Sequence, residues 1–554
     1  MFNKNDELEL TISDLGTTGE GIGRVDGYVL FVKDTVIGDR VRVKVMKAKK
    51  NYAYARLVEI LEASENRVEA PCPVARSCGG CQIQFMNYEE QLRFKTDKVY
   101  NNIKRIGGIE DFEMEPVIGM ESPFHYRNKA QFPVGKDRDG NIVSGFYAGR
   151  THSIIDMDHC MLGICPGGRD VNGEIMKLIK VFMKEMGIQP YDEKTGKGLV
   201  RHVLIRIGKT TGQLMVCLVI NGKKLPHAEI LVDALKDILG MTDISLSVNT
   251  KRNNVIMGNE IISLFGPGYI EDYIGDVKFR ISPLSFFQVN PEQTEKLYNK
   301  AVEYAGLTGK ETVWDLYCGI GSISLFLAKK AKKVLGVEIV PEAIEDAKVN
   351  AQINDIGNAE FLVGAAEDVV PEYFEKNPEA PECQPDVIVV DPPRKGCDEK
   401  LLETMTLMKP ERIVYVSCDS ASLARDLKWL DGHGYKLEKV TPCDQFGQTV
   451  HVETVVLLSK GNISTKKVKV DFSLEKLDTS GLSSKATYQE IKEYVLDKFN
   501  LKVSSLNIAQ IKDKCGIKER KNYNIAKSES GANKRCTQEK EKAILDAFRY
   551  FALI

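Results

Sequence analysis

Long apolar runs are missing from this chain of 554 residues; none approaches the roughly 20 residues needed to cross a bilayer. Its opening, MFNKNDELEL, lacks the apolar stretch of a signal peptide. A cytoplasmic protein without a membrane partner is therefore expected. Thiols stay reduced in that compartment, which excludes a disulfide framework and leaves metal ligation, catalysis or plain burial for the 13 cysteines. Net charge is also scarce, at −2, so the chain as a whole does not advertise nucleic-acid binding. At 43% hydrophobic and 28% charged it has an ordinary globular composition, and its length exceeds what one core supports, predicting about three to four domains.

The near-zero average hides a segregation of charge. Seven Lys or Arg and no acid lie between Arg40 and Arg56, and from Gly461 onward 19 basic residues face 12 acidic ones. Local basic surfaces of this kind grip phosphates, although either stretch alone reads equally well as a solvated face.

Four segments follow from the periodicities. Residues 1–60 read as a small, OB-like β-barrel: GYVLFV, RVRVKV and YAYARLVEI are short strands between Gly-rich turns. Val41, Val43 and Val45 fall on one face, Arg42 and Lys44 on the other. Cations on the face of an open barrel suit an RNA backbone. The TTGEGIGRVDG turn has no βαβ unit around it and is no nucleotide fingerprint. Residues 61–280 carry a cysteine-rich loop, PCPVARSCGGC, and a helix from about Tyr88 to Arg105; mixed strands and a helix near 227–239 then make a central α/β domain. In 281–460 strands and helices alternate, which predicts a doubly wound, Rossmann-like, mostly parallel sheet with its site at the carboxyl ends of the strands. The extension 461–554 is polar, then helical. Thr487 and Glu490 have capping-box spacing ahead of one helix, and a second runs from Ser504 to Lys514. Such a pair is either a helix-turn-helix-like RNA-binding module or a docking appendage.

Chemistry concentrates in 281–460. DLYCGIGS follows an apolar strand and opens a helix, and its glycines allow close backbone approach to a ligand. Glu338 ends the next strand, 23 residues after Asp315, where nucleotide-binding α/β folds place a carboxylate for ribose hydroxyls. The third glycine of a pyrophosphate-binding GxGxxG turn is absent, which disfavours a dinucleotide. Asp391 ends the strand VIVV in DPPRKG, with Arg394 where methyltransferases of exocyclic amines carry an aromatic. Cys418, in YVSCDS, leaves an apolar strand ahead of a helix whose N-terminus is expected to lower its pKa, while Asp419 beside it is expected to raise it. Glu453 is an awkward carboxylate at the head of the apolar run ETVVLL; it and, less favourably, His451 are the candidate bases.

FFQVN (Phe286 to Asn290), DLYCGIGSISL, GVEIVPEAIEDAKVNA, DPPRKG, YVSCD with LARDL, and DQFGQTVHVETVVLL together resemble the successive motifs of the uracil-5 RNA methyltransferases, over about 170 residues. The resemblance implies S-adenosylmethionine as cofactor, contacted by Gln288, Tyr317, Glu338 and Asp391. It also implies Cys418 as the nucleophile that adds to uracil carbon 6, and Glu453 as the base that takes the carbon-5 proton. A departure is Asp419, where the family commonly has Asn. Two other readings stand beside this one. An iron–sulfur RNA-binding protein without activity is disfavoured by the retention of Cys418 and Glu453, and a methyltransferase of another atom by Arg394.

Cys72, Cys78 and Cys81 have the spacing C-x5-C-x2-C, and three thiolates need a fourth ligand, for which Cys160 is nearest and Cys165 a rival. The C-x3-C-x2-C spacing of radical S-adenosylmethionine enzymes is absent. Four thiolates suit zinc or a [4Fe-4S] cluster, and spacing does not choose. The ribosomal-RNA members of the resembled family carry this pattern, a barrel of the TRAM type and a [4Fe-4S] cluster. The resemblance therefore implies a cluster on Cys72, Cys78, Cys81 and Cys160, and 23S ribosomal RNA as substrate. The family's tRNA-modifying members in general lack barrel and cluster, and tRNA is the alternative substrate. A monomer is expected.

Overall fold

The computed structural model describes residues 2–149, 151–157, 159–461, 488–499, 501, 503–514 and 538–550, which fall into two compact units, Met1–Ile463 and Ser464–Ile554. Alternation in the first 60 residues closes a five-stranded barrel in the order Glu7–Leu15, Gly21–Val25, Tyr28–Val32, Tyr52–Glu62, Arg40–Ala48. Asp26 and Gly27, both at positive φ, form the two-residue turn between its second and third strands. Val41, Val43 and Val45 are fully buried with Leu30 and Val32.

The opposite face departs from the expected cationic surface. Arg40 pairs with Glu62 (2.8 Å), Arg42 with Glu9 (3.0 Å) and Glu59, and Lys44 with Glu7 (3.2 Å). The acids sit on the two flanking strands, directly opposite each base in register: Glu9 across from Arg42, Glu7 from Lys44, Glu62 from Arg40. These exposed pairs draw on the charge that Arg40, Arg42 and Lys44 would otherwise offer a phosphate.

A second sheet of seven strands runs in the order Glu260–Phe265, Met241–Val248, Leu214–Ile220, Val200–Ile207, Lys129–Lys136, Ile142–Tyr147, Ile154–Asp156. Its two central strands, VRHVLIRI and LMVCLVI, are buried at every position, and helices Val171–Glu185 and Ala228–Lys236 accompany it. The helix expected to end near Arg105 is Tyr88–Asn102, continued by a π-turn at Ile103–Gly107.

The third sheet holds the chemistry. Its order is Ala359–Val363, Lys333–Glu338, Thr312–Leu316, Val387–Val390, Arg412–Ser417, Glu453–Lys460, Tyr435–Cys443, Glu113–Met114. The first five pair in parallel and Glu453–Lys460 runs against both its neighbours. Successive residues of one strand feed opposite cores: Val313 packs on one face, Trp314 and Leu316 on the other. This is the doubly wound arrangement, covered on both sides.

In the second unit, helices Tyr488–Phe499, Ser505–Lys514 and Gln538–Tyr550 share their own core of Ile491, Val495, Ile508, Ile511, Ile544 and Phe548. Thr487, the expected cap of the first, lies outside the described residues. No helix among the described residues is long and apolar enough to cross a membrane.

Candidate active site and cysteine cavity

The strands Thr312–Leu316, Lys333–Glu338 and Val387–Val390 end at one cavity of about 420 Å³, which Gln288, Tyr317, Glu338 and Asp391 all line. The turn after the first strand is tight. Tyr317 sits at φ +75°, and its amide and that of Cys318 both donate to the carbonyl of Val337 at 3.0 Å. Gly321, at φ +80°, precedes the helix Ser322–Ala328; a Cβ there would be strained and would crowd Ala347 and Phe361 at 3.2 Å, which favours glycine. Glu338 is fixed by the amides of Gly319 (3.2 Å) and Val340 (3.0 Å), which donate to its two oxygens.

Asp315 is fully buried; the hydroxyl of Ser324 donates to one carboxylate oxygen and Oδ1 has no partner. Burial pushes its pKa up to about 7. Burial and the charge of Asp315 raise Asp391 as well. Among the described residues, Asp315, Glu338, Glu367, Asp391 and Asp398 share these walls with one cation, Lys395. Such a field favours a positively charged ligand and repels a pyrophosphate.

Cys418 leaves the strand Arg412–Ser417 and Glu453 opens the neighbouring Glu453–Lys460. Burial and the charge of Asp391 raise the pKa of Glu453, with Arg394 opposing. Burial, then Glu453 and Asp391, push the Cys418 thiol up to about 12, again against Arg394. The expected helix-lowered thiol is therefore reversed. Asp419 occupies that helix end itself, accepting the amides of Ala421 (3.0 Å) and Ser422 (2.9 Å) as N-cap of Ser420–Gly432. The carboxylates that act on the thiol are Glu453 and Asp391 instead. Burial and the cations Arg394 and Lys98 bring His451 down to about 4, which makes it a poor proton acceptor.

Cys72, Cys78, Cys81 and Cys160 line a second cavity, of about 220 Å³. Cys165 is not in its wall and lies instead with His159 and Asp170, ligand atoms within 4.8 Å of one another. Among the described residues, no three of the four cavity sulfurs come that close together. Four thiols lining one cavity are a donor set that fits either a zinc ion or a [4Fe-4S] cluster. Arg127 and Lys129 line the same cavity with no carboxylate ion pair among the described residues, and Gln84 Oε1, Arg127 Nε and Asn172 Oδ1 there lack partners.

The family described as tRNA (Uracil-5-)-methyltransferase matches residues 87–461, and the TRAM domain matches residues 2–58. This chain belongs to the uracil-5 RNA methyltransferase family. An uncharacterized RNA methyltransferase of Halalkalibacterium halodurans is 51% identical over 461 residues, 83% of this chain and 98% of that protein. Another, of Clostridium tetani, is 50% identical over 458 residues, 82% of this chain and 97% of that one. Among solved structures, the Pyrococcus abyssi tRNA (uracil-54, C5)-methyltransferase in complex with S-adenosyl-L-homocysteine is 29% identical at a TM-score of 0.64, covering 81% of this chain and all of that one.

A uracil-5 RNA methyltransferase is S-adenosylmethionine-dependent, and the acidic cavity suits a cofactor that carries a sulfonium and an ammonium but no phosphate. Asp315, which sequence reading used only to count the spacing to Glu338, joins the walls and offers the unpartnered oxygen. Its signal was available, since it lies in an apolar strand that ends at the glycine turn. The three-helix unit lies beyond the matched family region.

Proposed function

We propose that this RNA methyltransferase methylates carbon 5 of a uridine in 23S ribosomal RNA through a covalent adduct on Cys418. The observation that carries the reading is the adjacency of Cys418 and Glu453 within the field of Asp391, a residue of the cofactor cavity. Uracil carbon 5 is electron-poor and needs activation. Addition of the Cys418 sulfur to carbon 6 turns the ring into an enolate whose carbon 5 is nucleophilic. When bound, S-adenosylmethionine supplies the methyl group. Glu453 then accepts the carbon-5 proton; the freed electron pair restores the ring double bond and expels the thiolate of Cys418. A carboxylate with a raised pKa is the stronger acceptor for that proton, and Arg394 is the cation that favours the thiolate.

The cysteine cavity is assigned to a [4Fe-4S] cluster on Cys72, Cys78, Cys81 and Cys160. Four thiols with Arg127 and Lys129 on the same wall suit an anionic centre such as a [4Fe-4S] cluster. The cluster's role is structural, holding the central domain for RNA docking.

A tRNA substrate is the second reading, favoured by the activity named for the Pyrococcus abyssi protein. The test is transfer of labelled methyl to RNA followed by nucleoside analysis: 5-methyluridine in ribosomal RNA from a strain lacking the protein supports the first reading, in tRNA the second. Label on any other nucleoside contradicts both.

A further inference from the structure

A short strip of backbone joins the two cavities. On one side is the segment that carries Cys160: the amide of Arg127 donates to Leu162 O (2.7 Å), and the amide of Ile164 donates to Arg127 O (2.9 Å). The Arg127 side chain lines the cysteine cavity. The next residue, Asn128, is only 4% exposed. Its backbone amide donates to Val289 O (2.9 Å) and its side-chain Nδ2 donates to Gln288 O (3.0 Å). Val289 lines the cysteine cavity, whereas Gln288, one residue earlier, lines the cofactor cavity.

The clamp is itself anchored, because the amide of Ile207 in the central sheet donates to Asn128 O (2.8 Å). The side-chain Oδ1 of Asn128 has no partner. A buried amide group that leaves its acceptor unsatisfied is held there at a cost, so its contribution lies in the donor. That donor meets the carbonyl of Gln288, which lines the cofactor cavity.

We propose that Asn128 is a positioning residue for the cofactor site, clamping Gln288 in place, and that filling the cysteine cavity tightens cofactor binding through the strip Cys160–Leu162–Arg127–Asn128–Gln288. The second half rests on the iron–sulfur reading; the clamp does not. Anchoring the Cys160 thiolate fixes the segment to which Arg127 is hydrogen-bonded, and Arg127 is covalently joined to the clamp.

The experiment is calorimetric titration of the anaerobically purified full chain with S-adenosylhomocysteine, alongside hydrogen exchange of amides 286–290. Asn128→Asp, which keeps the shape and loses the donor, is expected to weaken binding about tenfold and speed exchange in 286–290 with iron content unchanged. Asn128→Ser, which retains a donor, recovers part of the affinity. Asn221→Ala, which removes a comparable donor from the carbonyl of Gly198 away from both cavities, leaves affinity as it is. Removal of the cluster from the wild-type chain by chelation, which needs no variant to fold, weakens binding by a similar factor, and adds nothing in Asn128→Asp. Unchanged affinity and exchange in Asn128→Asp overturn the clamp. Unchanged affinity after cluster removal, or a chain that binds no iron, overturns the coupling. A wild-type chain that binds no S-adenosylhomocysteine fails the functional reading itself.

Discussion

Ser417 and Thr454 face each other across an antiparallel ladder, and that one register sets Cys418 beside Glu453. Each group, on ionising, discourages the other, and Asp391 discourages both. In the proposed cycle the sulfur loses its charge when it adds to the ring, and Glu453 then ionises more easily. The geometry thus orders the two steps, addition before proton removal.

Glu453→Gln takes away the proton acceptor and spares the thiol. Methyl transfer is expected once, with release stalled, so a covalent complex accumulates on ordinary uridine RNA while turnover falls by about 10²–10⁴-fold. Intact-mass measurement of quenched reactions reads both. Normal turnover contradicts the role of Glu453.

The thiol of Cys418 titrates far above neutrality. The thiolate is the reactive form, so alkylation by iodoacetamide should climb steadily from about pH 7 to 9 and beyond. Removing a nearby anion in Glu453→Gln lowers the thiol pKa and moves the profile to lower pH. Removing the cation in Arg394→Ala raises it and moves the profile to higher pH. Peptide mass mapping of Cys418 follows these shifts, and coincident profiles would contradict the electrostatic account.

Much of this site is legible in the sequence because polar residues interrupt apolar runs. Glu338, Asp391, Cys418 and Glu453 each stand at the end of a strand that is otherwise buried, and a local pattern suffices to mark them. What depends on register between strands is not legible. Glu7, Glu9, Glu59 and Glu62 pair with Arg40, Arg42 and Lys44 only because three strands align, and a single-strand pattern carries no trace of it. The expected lowering of the Cys418 thiol pKa by the helix end fails for the same reason: Asp419 is the near neighbour in sequence, Glu453 and Asp391 the charged groups that raise it in space. The two-residue strand Glu113–Met114 and the clamp from Asn128 to Gln288 join segments far apart along the chain. The helix Gln538–Tyr550, by contrast, shows its period locally in Ala543, Ile544, Ala547 and Phe548 and is a third helix beyond the expected pair.

For the cysteine cavity, anaerobically purified protein should be brown and contain about four iron atoms per chain. Cys160→Ala is expected to lose the chromophore and Cys165→Ala to keep it, as read by iron analysis and visible absorption. Stoichiometric zinc in place of iron contradicts the assignment.

Lys95 and Asp444 form a fully buried ion pair, reinforced by the Tyr88 hydroxyl donating to Asp444 (2.7 Å) and by Lys95 donating to Phe446 O (3.0 Å). It ties the helix Tyr88–Asn102 to the loop leading into Glu453. Lys95→Met strands the Asp444 charge and should destabilise the first unit by about 3–5 kcal/mol, seen as a shift in a denaturant melt. A change under about 1 kcal/mol would show that the pair is replaceable by apolar packing.

The nucleophile is tested most directly by incubating the protein with S-adenosylmethionine and RNA carrying 5-fluorouridine, then measuring intact mass. Fluorine takes the place of the carbon-5 proton and cannot leave as a cation, so elimination is blocked and the methylated ring stays bonded to the enzyme. A protein–RNA adduct that carries one methyl group and disappears in Cys418→Ala is the predicted result; no adduct with the wild-type chain, or one that persists in Cys418→Ala, contradicts it.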